Sequence, residues 1–224
     1  WATPLNLSTI GDGNSFLASG IGTDVNYLAS TLGAGAGSTY RLAGGPSAAL
    51  VFSGQDNVLT GANLVMIGSR LSNILSLGNT TTAAVTNLDG TVRIRNSNNY
   101  SGGTLVNRGM TLEVDTGAAP GGSTPLGSGG VEVYGIVQLA ADPQGYNGQA
   151  SFLNAATGAN ANSFVLRPGG AIIINGQLGQ VGGGEGRWDD QGALDLNGGT
   201  FRFNGITGAQ TFETIGALTA RKGG

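Results

Sequence analysis

Leu105-Val106-Asn107-Arg108-Gly109-Met110-Thr111-Leu112-Glu113-Val114 holds two short arms of alternating apolar residues joined by a polar-glycine turn. The same phrase occurs as Val85-Thr86-Asn87-Leu88-Asp89-Gly90-Thr91-Val92-Arg93-Ile94 and as Val131-Glu132-Val133-Tyr134-Gly135-Ile136-Val137-Gln138-Leu139. It returns as Val165-Leu166-Arg167-Pro168-Gly169-Gly170-Ala171-Ile172-Ile173 and as Leu194-Asp195-Leu196-Asn197-Gly198-Gly199-Thr200-Phe201-Arg202-Phe203. Alternation with period two calls strands, and one such unit cannot bury its apolar face alone. Identical units must therefore stack and cover one another.

The turn glycines Gly90, Gly109, Gly135, Gly169 and Gly198 are separated by 19, 26, 34 and 29 residues. A constant phrase with variable spacing predicts a solenoid, whose rungs are fixed by stacking while the connections lengthen freely. A propeller would keep a steadier period, and an antiparallel sandwich would show tight two-residue hairpins between longer strands. The fold expected is all-β, a right-handed parallel β-helix whose glycines turn its corners at positive φ. At ~20 to 25 residues per rung the chain would make about nine or ten rungs and a rod of roughly 45 Å. Residues 1–224 form one β-helix segment on this reading. Residues 1–45 are irregular or capping, and residues 46–224 hold the stacked rungs.

Strands are also expected at Ala49–Phe52, Val58–Thr60, Leu64–Ile67 and Ile74–Leu77, and a short helix or irregular cap between Ser15 and Leu32. Gly33–Ser38 and Gly117–Ser123 look like linkers, the second a long loop because the repeat resumes after it. Gly182–Gly186 reads as another loop.

Glycine makes up 43 of 224 residues without a Gly-X-Y period, which excludes collagen, and the plentiful aliphatics argue against a disordered linker. Charged residues are only 10%, with nine Arg and one Lys against thirteen acids, a net charge of −3. No basic cluster is present to hold phosphate backbones, so nucleic acid is not an expected partner. The chain has no Cys and no His, so it lacks thiolate nucleophiles, the commonest general base and the commonest transition-metal ligand. No apolar run reaches the ~18 residues that would span a bilayer, and no membrane contact by this segment is expected. The opening at Trp1 without a leader and the end at Lys222-Gly223-Gly224 suggest an interior or processed piece of a longer chain.

Asn99-Tyr100-Ser101-Gly102-Gly103-Thr104-Leu105-Val106-Asn107-Arg108-Gly109-Met110-Thr111-Leu112 resembles the autotransporter-associated β-strand repeat, which runs N-x-Y-S/T-G-G-T-T-x-V-N-x-G-T-L. Leu126-Gly127-Ser128-Gly129-Gly130-Val131-Glu132-Val133 followed by Gly135 is similar to its second half. Leu194–Phe201 and Thr214–Thr219 resemble the flanking repeats. The likeness is specific from Asn98 to Leu139 and slight over Trp1–Gly45; Arg108-Gly109-Met110 and Tyr134-Gly135-Ile136 depart from the family's simpler Gly-Gly-Thr. The resemblance implies a right-handed β-helix in a secreted or surface-displayed bacterial protein, an adhesin, biofilm matrix component or surface fibre. It implies passenger alone, since nothing matches the membrane-inserting barrel of such proteins. Partners would then be further rungs of a longer passenger chain, other copies end to end, or surface glycans.

Candidates for chemistry are few. Clustered acids with a base could cleave polysaccharide, where two carboxylates flank the scissile bond. Glu113 and Asp115 share a strand face by parity, and Asp189-Asp190 lie near Arg187. Arg93 and Arg95 share a face and could form a sugar- or carboxylate-binding stripe, though an ordinary polar outer face is the simpler reading. Glu185–Gln191 has the carboxylates for calcium but lacks the nine-residue repeat of calcium-bound β-rolls. Gly182–Gly184 lacks the lysine or acidic residue of a phosphate loop. Without His no serine triad can be assembled, and Lys222 is the only lysine. Trp188, Tyr100, Tyr134 and Tyr146 could stack on sugars or pack rung corners. Asn107, Asn175 and Asn197 could form amide ladders between rungs. No cofactor and no enzymatic activity are expected; the alternative is a β-helical polysaccharide lyase, hydrolase or glycan binder.

Overall fold

The alternation of each phrase becomes a ladder of parallel strands. The structure is a computed structural model that describes residues 1–69, 90–114, 124–139, 162–175, 188, 192–205 and 215–221. Its strands are β1 (Leu5–Asn6), β2 (Leu17–Ala18), β3 (Val25–Tyr27), β4 (Leu32–Gly33), β5 (Thr39–Ala43), β6 (Ala49–Phe52), β7 (Leu64–Ile67), β8 (Gly90–Ile94) and β9 (Thr104–Val106). They continue as β10 (Met110–Val114), β11 (Val131–Val133), β12 (Ile136–Leu139), β13 (Phe164–Leu166), β14 (Ala171–Asn175), β15 (Leu194–Leu196), β16 (Thr200–Asn204) and β17 (Leu218–Ala220).

The first arms at Leu105, Val131, Val165 and Leu194 join one eight-stranded sheet, ordered β2-β5-β7-β9-β11-β13-β15-β17, whereas the expected first arm at Val85–Leu88 lies outside the described residues. The second arm joins a seven-stranded sheet, ordered β3-β6-β8-β10-β12-β14-β16. Every pairing is parallel, so the chain climbs one rung at each turn. A third face carries β1 and β4 and, among the described residues, continues without regular strands. There Leu32 N donates to Val58 O at 3.2 Å, Asn57 N to Ser97 O at 2.7 Å and Asn98 N to Thr124 O at 2.9 Å. The chain is a three-faced parallel β-helix.

Register places like on like. Leu50, Val92, Leu112, Val137, Ile172 and Phe201 form one inward column, and Phe52, Ile94, Val114, Leu139, Ile174 and Phe203 a second. The facing sheet adds Leu42, Ile67, Val106, Val133 and Leu166, all buried. Each of these large apolar side chains contributes about 1.5–3 kcal/mol on burial. A slip of one residue would turn a whole column to water, so the columns themselves enforce the register.

Three sequence expectations are corrected. Residues 1–45 are not irregular, and Ser15–Leu32 forms no helix: β2 pairs with β5 and β3 with β6. Strands of two or three residues are too short to show alternation. Gly33–Ser38 is a corner between β4 and β5, closed by a 2.9 Å bond from Gly35 N to Thr39 O, rather than a linker. Val58–Thr60 lies on the third face with Val58 and Leu59 buried but outside any strand. The longer sheet holds eight rungs among the described residues. The spacing stretches where connections lengthen, from 20 residues between Val92 and Leu112 to 42 between Leu50 and Val92. Ala49–Phe52 and Leu64–Ile67 are the strands expected, and Ile74–Leu77 lies outside the described residues.

The corners use glycine in two ways. Gly109, Gly169 and Gly198 hold φ of 81°, 85° and 84°, and Gly90 holds 121°, values that a side chain disfavours. Gly135 has no such φ. Its corner has only two residues, and a Cβ there would collide with the carbonyl oxygens of Asn107 and Met110 on the rung below. The five glycines also fall in two adjacent columns: Gly90 aligns with Met110, whereas Gly109 comes one residue earlier.

Interior polar groups are tied to neighbouring backbone. Asn98, fully buried, accepts from Leu59 N at 3.0 Å and donates to Pro125 O at 3.1 Å, joining three successive rungs. Asn107 donates to Gly68 O at 2.7 Å. Only Asn204 and Asn175 make an amide-to-amide step, at 2.8 Å, among the expected asparagines; Asn197 is held through its backbone N–H on Leu166 O. Asn98→Ala leaves a buried N–H and C=O without partners, each worth about 1–3 kcal/mol. It should lower the chemical-denaturation midpoint clearly, whereas substitution of exposed Asn99 should leave it almost unchanged.

Candidate functional site

The outward positions of the strands carry what chemistry the described residues offer. Arg93 leaves β8 between Val51 of β6 and Glu113 of β10. Its Nε lies 3.0 Å from Glu113 Oε1 and its Nη2 donates to Oε2 at 3.1 Å, a two-pronged pair. Nη1 reaches down two rungs to Asp24 Oδ2 at 3.3 Å, while Asp24 Oδ1 accepts from Ala49 N at 2.8 Å. One guanidinium thus bridges two carboxylates and clamps the seven-stranded sheet from outside. Arg95 follows β8, is exposed, and is anchored by its N–H on Phe52 O at 2.9 Å. Glu113 is engaged with Arg93, and Asp115 lies outside the described residues.

The eight-stranded sheet repeats the device. Arg167 Nε donates to Glu132 Oε1 at 2.6 Å, and Tyr134 Oη donates to the same oxygen at 3.1 Å. That carboxylate, through its hydrogen bond first, raises the Arg167 pKa above the ordinary guanidinium value. Further up, Arg221 Nε donates to both oxygens of Asp195, at 2.7 and 2.9 Å. Arg108 spans the short Tyr134-Gly135 corner to donate to Pro168 O at 3.0 Å. Glu132 and Asp195 share one register column, and Arg167 and Arg221 each lie two residues beyond that column's member one rung higher, Val165 and Thr219. Glu132 and Arg167 fall three and two residues before the turn glycines Gly135 and Gly169, so their opposite charges one rung apart are legible once the phrases are aligned.

Two aromatic candidates are corrected. Tyr100 is completely buried and hydrogen-bonds Thr104 Oγ1 at 2.6 Å, and burial pushes its hydroxyl far above the ordinary tyrosine range. Trp188 is 2% exposed, with its ring 4.6 Å from that of Phe164 and edge-on to Phe201 at 5.8 Å. Its Nε1 donates to Gly192 O at 3.0 Å. Both rings fill the interior between rungs, where aliphatic neighbours demand volume, and neither is available to a sugar. Tyr134 sits half-buried at its corner. Tyr146, Gly182–Gly184, Glu185, Arg187, Asp189, Asp190 and Lys222 lie outside the described residues.

Among the described residues no three Asp or Glu side chains gather as a metal site would require. Among the described residues, Arg93 with Asp24 and Glu113, Arg167 with Glu132 and Arg221 with Asp195 pair from rung to rung on the outer faces. Such an arrangement fixes the spacing of neighbouring rungs; it does not place an acid and a base across a common reacting atom.

No family model matches the chain, and no curated protein or solved structure is similar to it beyond chance.

Partly exposed ion pairs contribute up to about 1 kcal/mol, whereas truncating a buried tryptophan costs about 3–5 kcal/mol. Arg93→Ala should therefore cost less than ~1 kcal/mol, a loss that shrinks with added salt. Trp188→Ala should cost several-fold more and be insensitive to salt. Thermal denaturation at two ionic strengths checks both. A small effect at Trp188 would show that its ring is not part of the interior.

Proposed function

We propose that this chain is a non-catalytic structural segment of a bacterial extracellular surface protein, a β-solenoid of the autotransporter-passenger type that gives length and stiffness to an adhesin, biofilm matrix or surface fibre. The observation that carries this reading is the use made of outer-face charge. In a chain with so few charged residues, Arg93, Glu113, Asp24, Glu132, Arg167, Asp195 and Arg221 all bind one another across rungs. A substrate groove needs such groups turned toward a ligand. Here they are turned along the rod axis. The repeat phrase around Asn99–Leu112 supports the same reading through its resemblance to passenger repeats. Glycan contact, where it occurs, falls to exposed outer positions such as Arg95 and the Tyr134 corner.

The competing reading is a polysaccharide lyase or hydrolase built on the same scaffold, with Arg187, Asp189 and Asp190 as its charged set. Incubation with a panel of acidic and neutral polysaccharides separates the two. The scaffold reading expects no rise in reducing ends or in unsaturated products. Depolymerisation that disappears in Asp189→Asn or Asp190→Asn would establish the enzyme instead.

A further inference from the structure

Arg108 departs from the rule that governs the other outer charges. Each described carboxylate is tied to a neighbour: Asp24 and Glu113 to Arg93, Glu132 to Arg167, Asp195 to Arg221, Asp12 to Asn14 and Asp56 to Ser97 N. Arg108 is exposed on the flank of the rod and has no carboxylate partner among the described residues; its Nη2 donates to Pro168 O at 3.0 Å. A guanidinium carries five N–H donors and a permanent positive charge. One bond to a neutral carbonyl fixes its position and leaves that charge uncompensated.

The same bond carries the guanidinium to a corner that already holds a second one. Arg167 immediately precedes Pro168 and gives only its Nε to Glu132, so among the described residues its Nη1 and Nη2 make no hydrogen bond. Tyr134 lies one rung below Arg167, because the residues before them, Val133 and Leu166, are register partners. Its hydroxyl donates to the same Glu132 oxygen at 3.1 Å, which fixes the half-buried ring at this corner. Gly135 and Gly169 put no side chain between these groups, and a Cβ on Gly169 would stand 3.7 Å from Arg108 Nη1. Two arginines against one glutamate leave the corner positively charged beside a fixed aromatic ring.

We propose that this corner binds acidic polysaccharide, with Arg108 and Arg167 receiving a uronate carboxylate while the Tyr134 ring packs against the sugar. This rests on the scaffold reading and names the ligand class of its Tyr134 corner. Guanidinium N–H groups match a carboxylate in both geometry and charge. A ring whose rotamer is already fixed offers apolar area to a sugar face with little entropy left to lose. An open corner holds one sugar weakly, whereas a polymer presents the same unit many times over. The bridge to Pro168 O explains where Arg108 points but makes no use of its charge, and that difference separates a binding role from a purely structural one.

Biolayer interferometry of the full chain on immobilised polygalacturonate, with dextran as the neutral control, tests this at two ionic strengths. The wild type should bind polygalacturonate and not dextran, and binding should weaken with salt. Arg108→Gln keeps an N–H for Pro168 O but removes the charge, and Tyr134→Ala removes the ring. Each should weaken binding about tenfold or more, with little change in the thermal midpoint, and Arg108→Lys should retain more binding than Arg108→Gln. Free galacturonate should compete, and acetate at equal ionic strength should not. Absence of binding, equal binding of dextran, wild-type affinity in Arg108→Gln or in Tyr134→Ala, or displacement by acetate as readily as by galacturonate would each overturn the proposal. Cleavage of the polymer would instead contradict the scaffold reading and leave the dependence of binding on Arg108 intact.

Discussion

In-register stacking of short parallel strands is the constraint on which everything else in this molecule depends. A single rung has inward residues on three faces but nothing above or below to cover them. Burial comes only from the next rung, through columns such as Leu50-Val92-Leu112-Val137-Ile172. At about 1.5–3 kcal/mol for each large apolar side chain, these columns outweigh the outer ion pairs, worth at most about 1 kcal/mol each. The interior therefore holds the solenoid together, and the charges on its faces tune spacing and register.

Corners and connections must then serve the stack. Where a corner is three or four residues long, as at Asn197-Gly198-Gly199, glycine supplies positive φ. Where it shrinks to Tyr134-Gly135, the requirement changes to close approach, and Arg108 bridges the shortened rung to Pro168. Beyond the β1–β4 pair the third face makes no regular ladder among the described residues, yet its backbone is joined rung to rung and Asn98 ties three rungs from within. Thr104 is tolerated in an otherwise apolar column because Tyr100 supplies its hydrogen bond without water. Buried polarity here specifies alignment at sites where an aliphatic residue could slide.

The fold was legible in the phrases because their alternation maps directly onto inward and outward columns: Leu112 and Val114 point in, Glu113 out. Less legible was the first rung, since Leu17–Ala18 and Val25–Tyr27 are too short to alternate visibly. Parity predicted the outward face of Arg93, but not its carboxylate partners, because Asp24 is 69 residues away in sequence and two rungs away in space. Trp188 and Tyr100 looked like loop aromatics because glycine and polar residues flank them. Only the stacked structure reveals that their rings point into the interior.

The central claim is that successive phrases lie parallel and in register, and the absence of cysteine allows a clean test. Gln138 and Ile173 face outward on adjacent strands and are register partners, with Cα atoms about 4.8 Å apart as neighbouring strands require, within the span a disulfide bridges. Mild oxidation of the Gln138→Cys, Ile173→Cys double variant should give an intramolecular disulfide in high yield. The Gln138→Cys, Ile172→Cys variant, displaced by one residue and therefore facing inward, should not form one. Equal linking of both pairs, or linking only of the displaced pair, would contradict the parallel in-register stack.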